Sequence, residues 1–413
     1  MSKVLQGSFP SSPFTGLTTA STSYFFKMGM GSCNSTITTE AQQQTIERFG
    51  GTYSRMGIHI TANSRLTAGT LRSRKNNANG NQSASIVAST TGRFEDASNT
   101  DTVAAADTFG AAMTNGTGSA ALSVNHVYCA YSATGAHRSH INVEGTSTFP
   151  AAASASTLYR TQPMGAMSAA MATSDTNIWV PNRAGGSLTN FSVFASANTA
   201  TTDSTAGVRL NATTAGNNVV TIPLGTTGEF EDTTHSDAIT NSTNYAFYVL
   251  RSTGTGSITI RRMSCVFTGT GNYSDVGSAL CSSLARSLNG TNYSRILGHL
   301  TLDTTESNMQ VRMPFDGRAS NLRVHSSTVN SITTIKLRKN GVDGNQAVSS
   351  PSSGSGVYED TTSHDDFVDT DLLSLSWTSA SASSSNFGDA QLYLTPPPVI
   401  GGGGQQGLLQ IIC

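Results

Sequence analysis

Charge is what this chain most lacks. Of its 413 residues only 12 % are Asp, Glu, Lys or Arg, and the net charge is -1; globular domains usually carry about 25 %. That excludes the basic excess needed to bind DNA or RNA phosphates, and the acidic excess of a disordered tail. Cysteine is scarce too. Cys33, Cys129, Cys265, Cys281 and Cys413 are odd in number, scattered and free of any C-x-x-C spacing, so neither a disulfide framework nor a zinc knuckle is expected. No run reaches the roughly 20 apolar residues of a membrane span. The segment 1–7 lacks the apolar core of a secretory signal, and synthesis in the cytoplasm with reduced thiols is expected. Helical periodicity is nearly absent, the best stretch being Thr39–Arg48. There is no P-loop, no GxGxxG, no GxSxG elbow and no carboxylate pair of glycosidase type. No enzyme is expected.

What the chain does have is a repeated sentence. Arg93-Phe94-Glu95-Asp96 is followed by Asp101, Glu229-Phe230-Glu231-Asp232 by Asp237, and Val357-Tyr358-Glu359-Asp360 by Asp365. The shared pattern is aromatic, Glu, Asp, four residues, Asp, and the copies are about one domain apart. Upstream, Arg74–Gln82 matches Arg338–Gln346 without a gap, and Gly216-Asn217 keeps the Gly-Asn of Gly80-Asn81 and Gly344-Asn345. Each copy also follows a Tyr-Arg segment: Tyr53-Ser54-Arg55, Tyr159-Arg160 and Tyr293-Ser294-Arg295. Apolar residues alternate in 190–194, 245–249, 257–260, 321–325, 334–338, 373–377 and 390–394, with Gly, Asn, Asp and Ser clusters between. That is the pattern of half-buried strands joined by polar turns. The expected fold is all-β: three tandem β-sandwich, jelly-roll-like repeats at 51–150, 151–270 and 271–395, with an N-terminal arm (1–50) and a Pro/Gly-rich C-terminal arm (396–413).

The acidic tract carries two readings. In one, Asp96, Asp101, Asp232, Asp237, Asp360 and Asp365, together with Ser and Thr side chains of the tract, bond backbone N–H groups and hold a loop between strands, with the aromatic as a core anchor. In the other, these with Glu95, Glu231 and Glu359 hold calcium, although the spacing is not that of an EF-hand. The basic clusters Arg72, Arg74, Lys75 and Arg338, Lys339 are either solvated turns or partners of an acidic tract on an adjacent copy or subunit. His137 and His140 read as a solvated loop pair, and His235 and His364 have no counterpart in the first copy. In the C-terminal arm, Leu408, Leu409, Ile411 and Ile412 follow four glycines and are expected to seat on a neighbouring subunit, the alternative being the chain itself.

The tracts Gly92–Asp96, Gly228–Asp237 and Gly356–Thr362, with their flanking strands, resemble the tandem jelly-roll-like structural proteins of tailed-bacteriophage virions, of head decoration (cement) or tail and fibre type. The resemblance is one of composition and repeat style over most of residues 51–395. It implies a non-enzymatic virion protein made in the host cytoplasm, binding capsid or tail proteins of the same particle as a homo-oligomer, with no nucleic-acid or membrane partner and no cofactor beyond the calcium of the second reading. The alternative is a host-recognition protein, for which Trp179 is the candidate glycan contact; Trp377, in an alternating strand, is assigned to the core.

Overall fold

In the computed structural model the described residues are 3–9, 14–15, 17, 23–28, 40, 43–118, 122–134, 138–150, 157–161, 180–181, 185–211, 214–240, 243–270, 274–299 and 302–395. They form three sandwiches of one topology. In the first, β1 (Lys3–Ser8), β2 (Ser23–Lys27), β3 (Thr45–Ile46), β4 (Gly51–Asn63), β5 (Gly69–Lys75), β6 (Ala78–Ile86), β7 (Gly92–Val103), β8 (Thr108–Thr114) and β9 (Leu122–Ala133) build two antiparallel sheets, β1-β9-β4-β7 and β2-β8-β5-β6, with β3 added beside β8. Setting β3 aside, strands one, eight, three and six share the first sheet and strands two, seven, four and five the second. That is the double Greek key of a jelly roll.

The second roll repeats this order. Its strands are β10 (Arg138–Pro150), β11 (Thr157–Thr161), β12 (Val180–Pro181), β13 (Gly186–Asn198), β14 (Ser204–Leu210), β15 (Thr214–Ile222), β16 (Gly228–Ile239), β17 (Asn244–Arg251) and β18 (Ser257–Gly269). They form β10-β18-β13-β16 and β11-β17-β14-β15, with β12 beside β17. In the third roll, β19 (Ser274–Ser294) serves as both first and second strand. It is followed by β20 (Gly298–His299), α1 (Glu306–Met309), β21 (Val311–Arg312), β22 (Gly317–Val329), β23 (Thr333–Lys339), β24 (Val342–Ser349), β25 (Gly354–Phe367) and β26 (Leu372–Thr395), which serves as both seventh and eighth. The β19–β26 register breaks between Leu288 and Gly290, where the chain crosses from one sheet to the other; Gly290 takes a φ of 74° there.

Local chemistry explains these elements. In β23, Ile335 and Leu337 point inward while Lys336 and Arg338 are less buried. The β5–β6 hairpin turns on Asn76-Asn77 and the β23–β24 hairpin on Asn340-Gly341, all at positive φ, as a two-residue turn of the type that suits strand twist requires. The same bulge interrupts β4, β13 and β22 at Arg55, Asn190 and Asn321, with φ of 53°, 54° and 54°.

The sheet pairings move the expected boundaries. The span 1–50, expected to be an arm, contains β1, β2 and β3 of the first roll, and the second roll starts at β10, ahead of residue 151. The Tyr-Arg segments are not one repeated position. Tyr53 lies in the third strand of its roll, whereas Tyr159 and Tyr293 lie in the second. The counterpart of Tyr159 is Tyr24: one pairs with Val249, the other with Met113, at matching points of β17 and β8. Thr39–Arg48 forms no α-helix where described; Thr45–Ile46 pairs with β8 instead, tertiary pairing overriding a weak helical pattern.

Two apolar clusters run through the described residues. One is the interior of the first roll, including Ile58, Ile60, Leu71, Phe109, Val127, Cys129 and Tyr131. The other runs through the second and third rolls and takes in Tyr128 and Ala130 of β9 and Leu5 of β1. Strand β9 is therefore buried on both faces: alternate residues serve its own roll and the junction of the three. Trp377 lies in that larger core, its indole N–H donating to Ser294 Oγ at 2.8 Å.

Candidate assembly interface

The acidic tracts lie within strands β7, β16 and β25, not in loops. Each is the outer strand of its sheet, and it flanks the outer strand of the opposite sheet, β6, β15 or β24. The aspartates staple these two edges together. In the first roll, Asp101 accepts from the Asn81 N–H at 2.6 Å, and Asp96 from Ser83 N–H at 2.7 Å and from Ser98 and Asn99 N–H at 3.0 Å each. In the second, Asp237 takes Asn217 and Asn218 N–H (2.6 and 3.2 Å), and Asp232 takes Val219, Thr234 and His235 N–H (3.1, 3.0 and 3.2 Å). In the third, Asp365 takes Asn345 and Gln346 N–H (2.7 and 3.0 Å), and Asp360 takes Ala347, Thr362 and Ser363 N–H (3.0, 3.1 and 2.9 Å). Unpaired edge donors invite other chains, and here a carboxylate occupies them in every roll.

The glycine of each Gly-Asn pair makes room for the staple. A Cβ on Gly80, Gly216 or Gly344 would stand 2.6, 2.5 or 2.6 Å from an oxygen of Asp101, Asp237 or Asp365. Electrostatics agree with the geometry. Burial alone would raise the Asp96, Asp232 and Asp360 carboxyls. The donated hydrogen bonds outweigh it and hold all three below the usual carboxylate range, Asp360 at about 2. His235 adds to this in the second roll, its Nδ1 lying 2.9 Å from Asp232 Oδ2. Among the described residues no group of three or more His, Cys, Asp or Glu is placed to hold a metal ion. The aspartate oxygens a calcium ion would need already accept backbone N–H groups.

Two glutamates of the tract, Glu95 and Glu231, face other rolls. Glu95 pairs with Arg55 of its own roll (2.9 Å) and with Arg312 of the third roll (3.2 Å), and accepts from the Tyr128 hydroxyl at 2.9 Å. Glu231 pairs with Arg48, which belongs to the first roll, at 2.5 Å. Burial raises the Glu231 carboxyl even with Arg48 beside it. Backbone carbonyls join in. Arg93 of the first roll donates to the Gln310 carbonyl at 3.1 Å, and Arg262 of the second donates to the Gln44 carbonyl at 2.9 Å while pairing with Glu229. Arg55 also reaches Asp369 of the third roll. Partly buried pairs of this kind fix register more than they stabilise.

Each seam also buries polar groups. Between the first and second rolls, Glu47 joins His140 Nε2 (3.0 Å) to the Tyr53 hydroxyl (2.8 Å). Burial, then the Glu47 charge, holds the Tyr53 hydroxyl well above its usual range. Between the first and third rolls, the buried Arg295 donates to Asn125 Oδ1 at 2.9 Å, and Asn125 Oδ1 lies 2.8 Å from His126 Nδ1. His126 stacks on Phe9 and meets His59 edge-on. Burial first, then the nearby cations Arg93 and Arg295, pushes His59 down to about 3; His126, fully buried against His59 and the same cations, lies well below its usual value.

Several expectations change at this point. Within the chain, Arg74, Lys75, Arg338 and Lys339 do not meet the acidic tract of another copy. Arg74 pairs with Glu40 and Lys75 with Asp107, while Arg338 pairs with Glu306 and Asp343; Lys339 donates to the Asp366 carbonyl. The hairpin turns them back onto their own roll. His140 is not in a solvated loop but buried in β10. The sequence reading missed Arg48, Arg312, His140 and Arg295. A signal for the segments that carry Arg48 and Arg312, though not for the arginines themselves, was present: Gln44, Phe49 and Gly51 recur as Gln310, Phe315 and Gly317 at the same spacing, ahead of the tract. Trp179, Leu408, Leu409, Ile411 and Ile412 lie outside the described residues.

No family model and no curated protein matches the chain. Among solved structures, one described as the triple jelly roll fold and turret assembly in an archaeal virus matches at 13 % identity over 86 % of this chain and 82 % of its own, with a TM-score of 0.20. Another, the atomic structure of Sulfolobus Turreted Icosahedral Virus, matches at 13 % identity over 83 % and 79 %, with a TM-score of 0.19. Neither description names a tailed bacteriophage. Superpositions this loose bear on no role, and the jelly-roll assignment rests on the strand order.

Proposed function

We propose that the chain is a non-enzymatic structural protein of a virus particle that binds neighbouring subunits through loop ends and terminal segments. The carrying observation is where four of the seven exposed large apolar side chains among the described residues fall. Leu66 (77 % exposed) and Ile332 (53 %) occupy corresponding loops after β4 and β22, and Val87 (53 %) and Leu224 (56 %) corresponding loops after β6 and β15. Hydrogen bonds tie the first-roll loops together: Ser89 N–H donates to the Arg65 carbonyl and Leu66 N–H to that of Thr117. Each roll thus offers at least one apolar tip at this end, while its β6-type and β7-type edges are stapled; in the third roll Val342 and Val368 are exposed at the other end and Val357 on β25. Apolar loop tips on rigid sandwiches suit subunit contact. A charge-poor surface suits many hydrogen-bonded neighbours.

The particle's capsid or tail proteins, and further copies of the chain, are the expected partners, with 396–413 as an added clasp. The test is retention in purified particles. Leu66→Ser, Leu224→Ser and Ile332→Ser together should lower affinity at least about a hundredfold, since burying each side chain is worth about 1.5–3 kcal/mol. Melting of the free chain should not change. Full occupancy of the triple variant would refute the loop-end reading, and full occupancy after deletion of 401–413 would refute the clasp.

A further inference from the structure

We propose that the three rolls close into a pseudo-threefold ring in which one seam is used three times, the glutamate of each acidic tract receiving the leader of the preceding roll. The leader is the short segment ahead of the long third strand. Two seams are visible. In one, the leader around β3 lies on the first sheet of the second roll: the Gln44 carbonyl accepts from Arg262 and Arg48 pairs with Glu231. In the other, the leader around β21 lies on the first sheet of the first roll: the Gln310 carbonyl accepts from Arg93 and Arg312 pairs with Glu95. Gln44 and Gln310 each stand immediately before their short leader strand, and those strands pair with matching residues of β8 and β26. The seams therefore share their acceptors, the leader glutamine carbonyl and the tract glutamate, in the order third roll on first, first on second; the arginines differ, Arg93 lying on β7 but Arg262 on β18, and Arg48 and Arg312 standing three and five residues ahead of Gly51 and Gly317.

A contact between unlike surfaces repeats either as a closed ring or as an open spiral. Chain connectivity decides between them. A spiral would place the second and third rolls on opposite sides of the first. Yet β18 ends at Gly269 and β19 begins at Ser274, a gap that extended chain spans in at most about 18 Å. β11 also packs against β19, and a single apolar cluster includes strands from all three rolls. The third seam then lays the leader around β12 onto the first sheet of the third roll, where Glu359 on β25 holds the place of Glu95 and Glu231. β12 pairs with β17 at Tyr245, as β3 does with β8 at Phe109. In the sequence Arg183 precedes Gly186 by the three residues that separate Arg48 from Gly51.

The test is amide exchange in the full chain carrying Glu95→Gln, Glu231→Gln or Glu359→Gln, one at a time. Each loss should speed exchange about tenfold, the loss of one charge-assisted contact, at the leader resting on the altered sheet: Val311 and Arg312 for Glu95, Thr45 and Ile46 for Glu231, Val180 for Glu359. A wild-type rate at Val180 in Glu359→Gln, with the other two pairs responding, would overturn the ring. A second measurement needs no variant at a seam. After cleavage at a protease site inserted between Gly269 and Ser274, the chain should elute as one particle of unchanged size, and dissociation or expansion would overturn the proposal.

Discussion

Acid should loosen the junction of the first and third rolls well before it reaches the carboxylates. His59 and His126 pair across β4 and β9, their ring centroids 5.4 Å apart, under Phe9 and close to Arg93 and Arg295. Both imidazoles stay neutral in the fold, His59 down to about pH 3, whereas in the unfolded chain they take up a proton near pH 6.5. Below that point the unfolded state binds protons that the folded state refuses, so stability falls as pH falls. Each withheld proton contributes a slope of about 1.4 kcal/mol per pH unit. Two give about 2.7, or roughly 5 kcal/mol between pH 6.5 and 4.5. The assay is amide exchange of Ile58 and Val127, which flank the pair, converted to an opening free energy at several pH values. His59→Phe should halve the slope. Phe194 holds the corresponding place in β13 facing Arg262, so a ring of that size fits this strand position. A slope under about 0.5 kcal/mol per pH unit in the wild-type chain would show that water or a counter-charge reaches these histidines, and would refute the reasoning.

The edge staples give further expectations. Asp360→Ala should lower stability by about 2–4 kcal/mol, because three backbone N–H groups lose a charged acceptor, and Asp360→Asn by about half of that; denaturant titration measures both. With its folded value near 2 against about 3.9 unfolded, Asp360 supports the fold above about pH 4. That support is lost as pH falls through about 2, a window Asp360→Asn removes. Gly344→Ala should cost about 1–3 kcal/mol by pressing a methyl on the Asp365 carboxylate, read as a lower melting temperature. Millimolar calcium should leave melting unchanged, since a rise of several degrees would mean that the aspartates prefer the ion to their N–H donors.

The strands themselves were legible because alternation is a local property: 334–338 and 373–377 read as strands from their side chains alone, and they pair with each other. The start of the first roll was not. β1 and β2 sit among Ser, Thr and Gly, and their pairing with β9 and β8 spans most of the roll, a separation no local pattern reports. The aspartates were readable as backbone acceptors from their type and spacing. The glutamates were not readable as seam acceptors, because Arg48 and Arg312 reach them only after three sandwiches have folded against one another. His140 misled for a similar reason: its polar neighbours in sequence resemble a loop, and what buries it is Glu47 from another roll.

Arg55 shows what fusing three rolls into one chain permits. In a ring of identical subunits any residue at that bulge would appear three times. Here asparagine occupies it twice, and arginine once, in a left-handed conformation that suits asparagine better. From there its guanidinium reaches Asp369 at a single junction. In the proposed ring, a molecule nearly the same from three directions would thereby carry one mark that breaks the degeneracy, and a neighbour able to read it would dock in one azimuth rather than three.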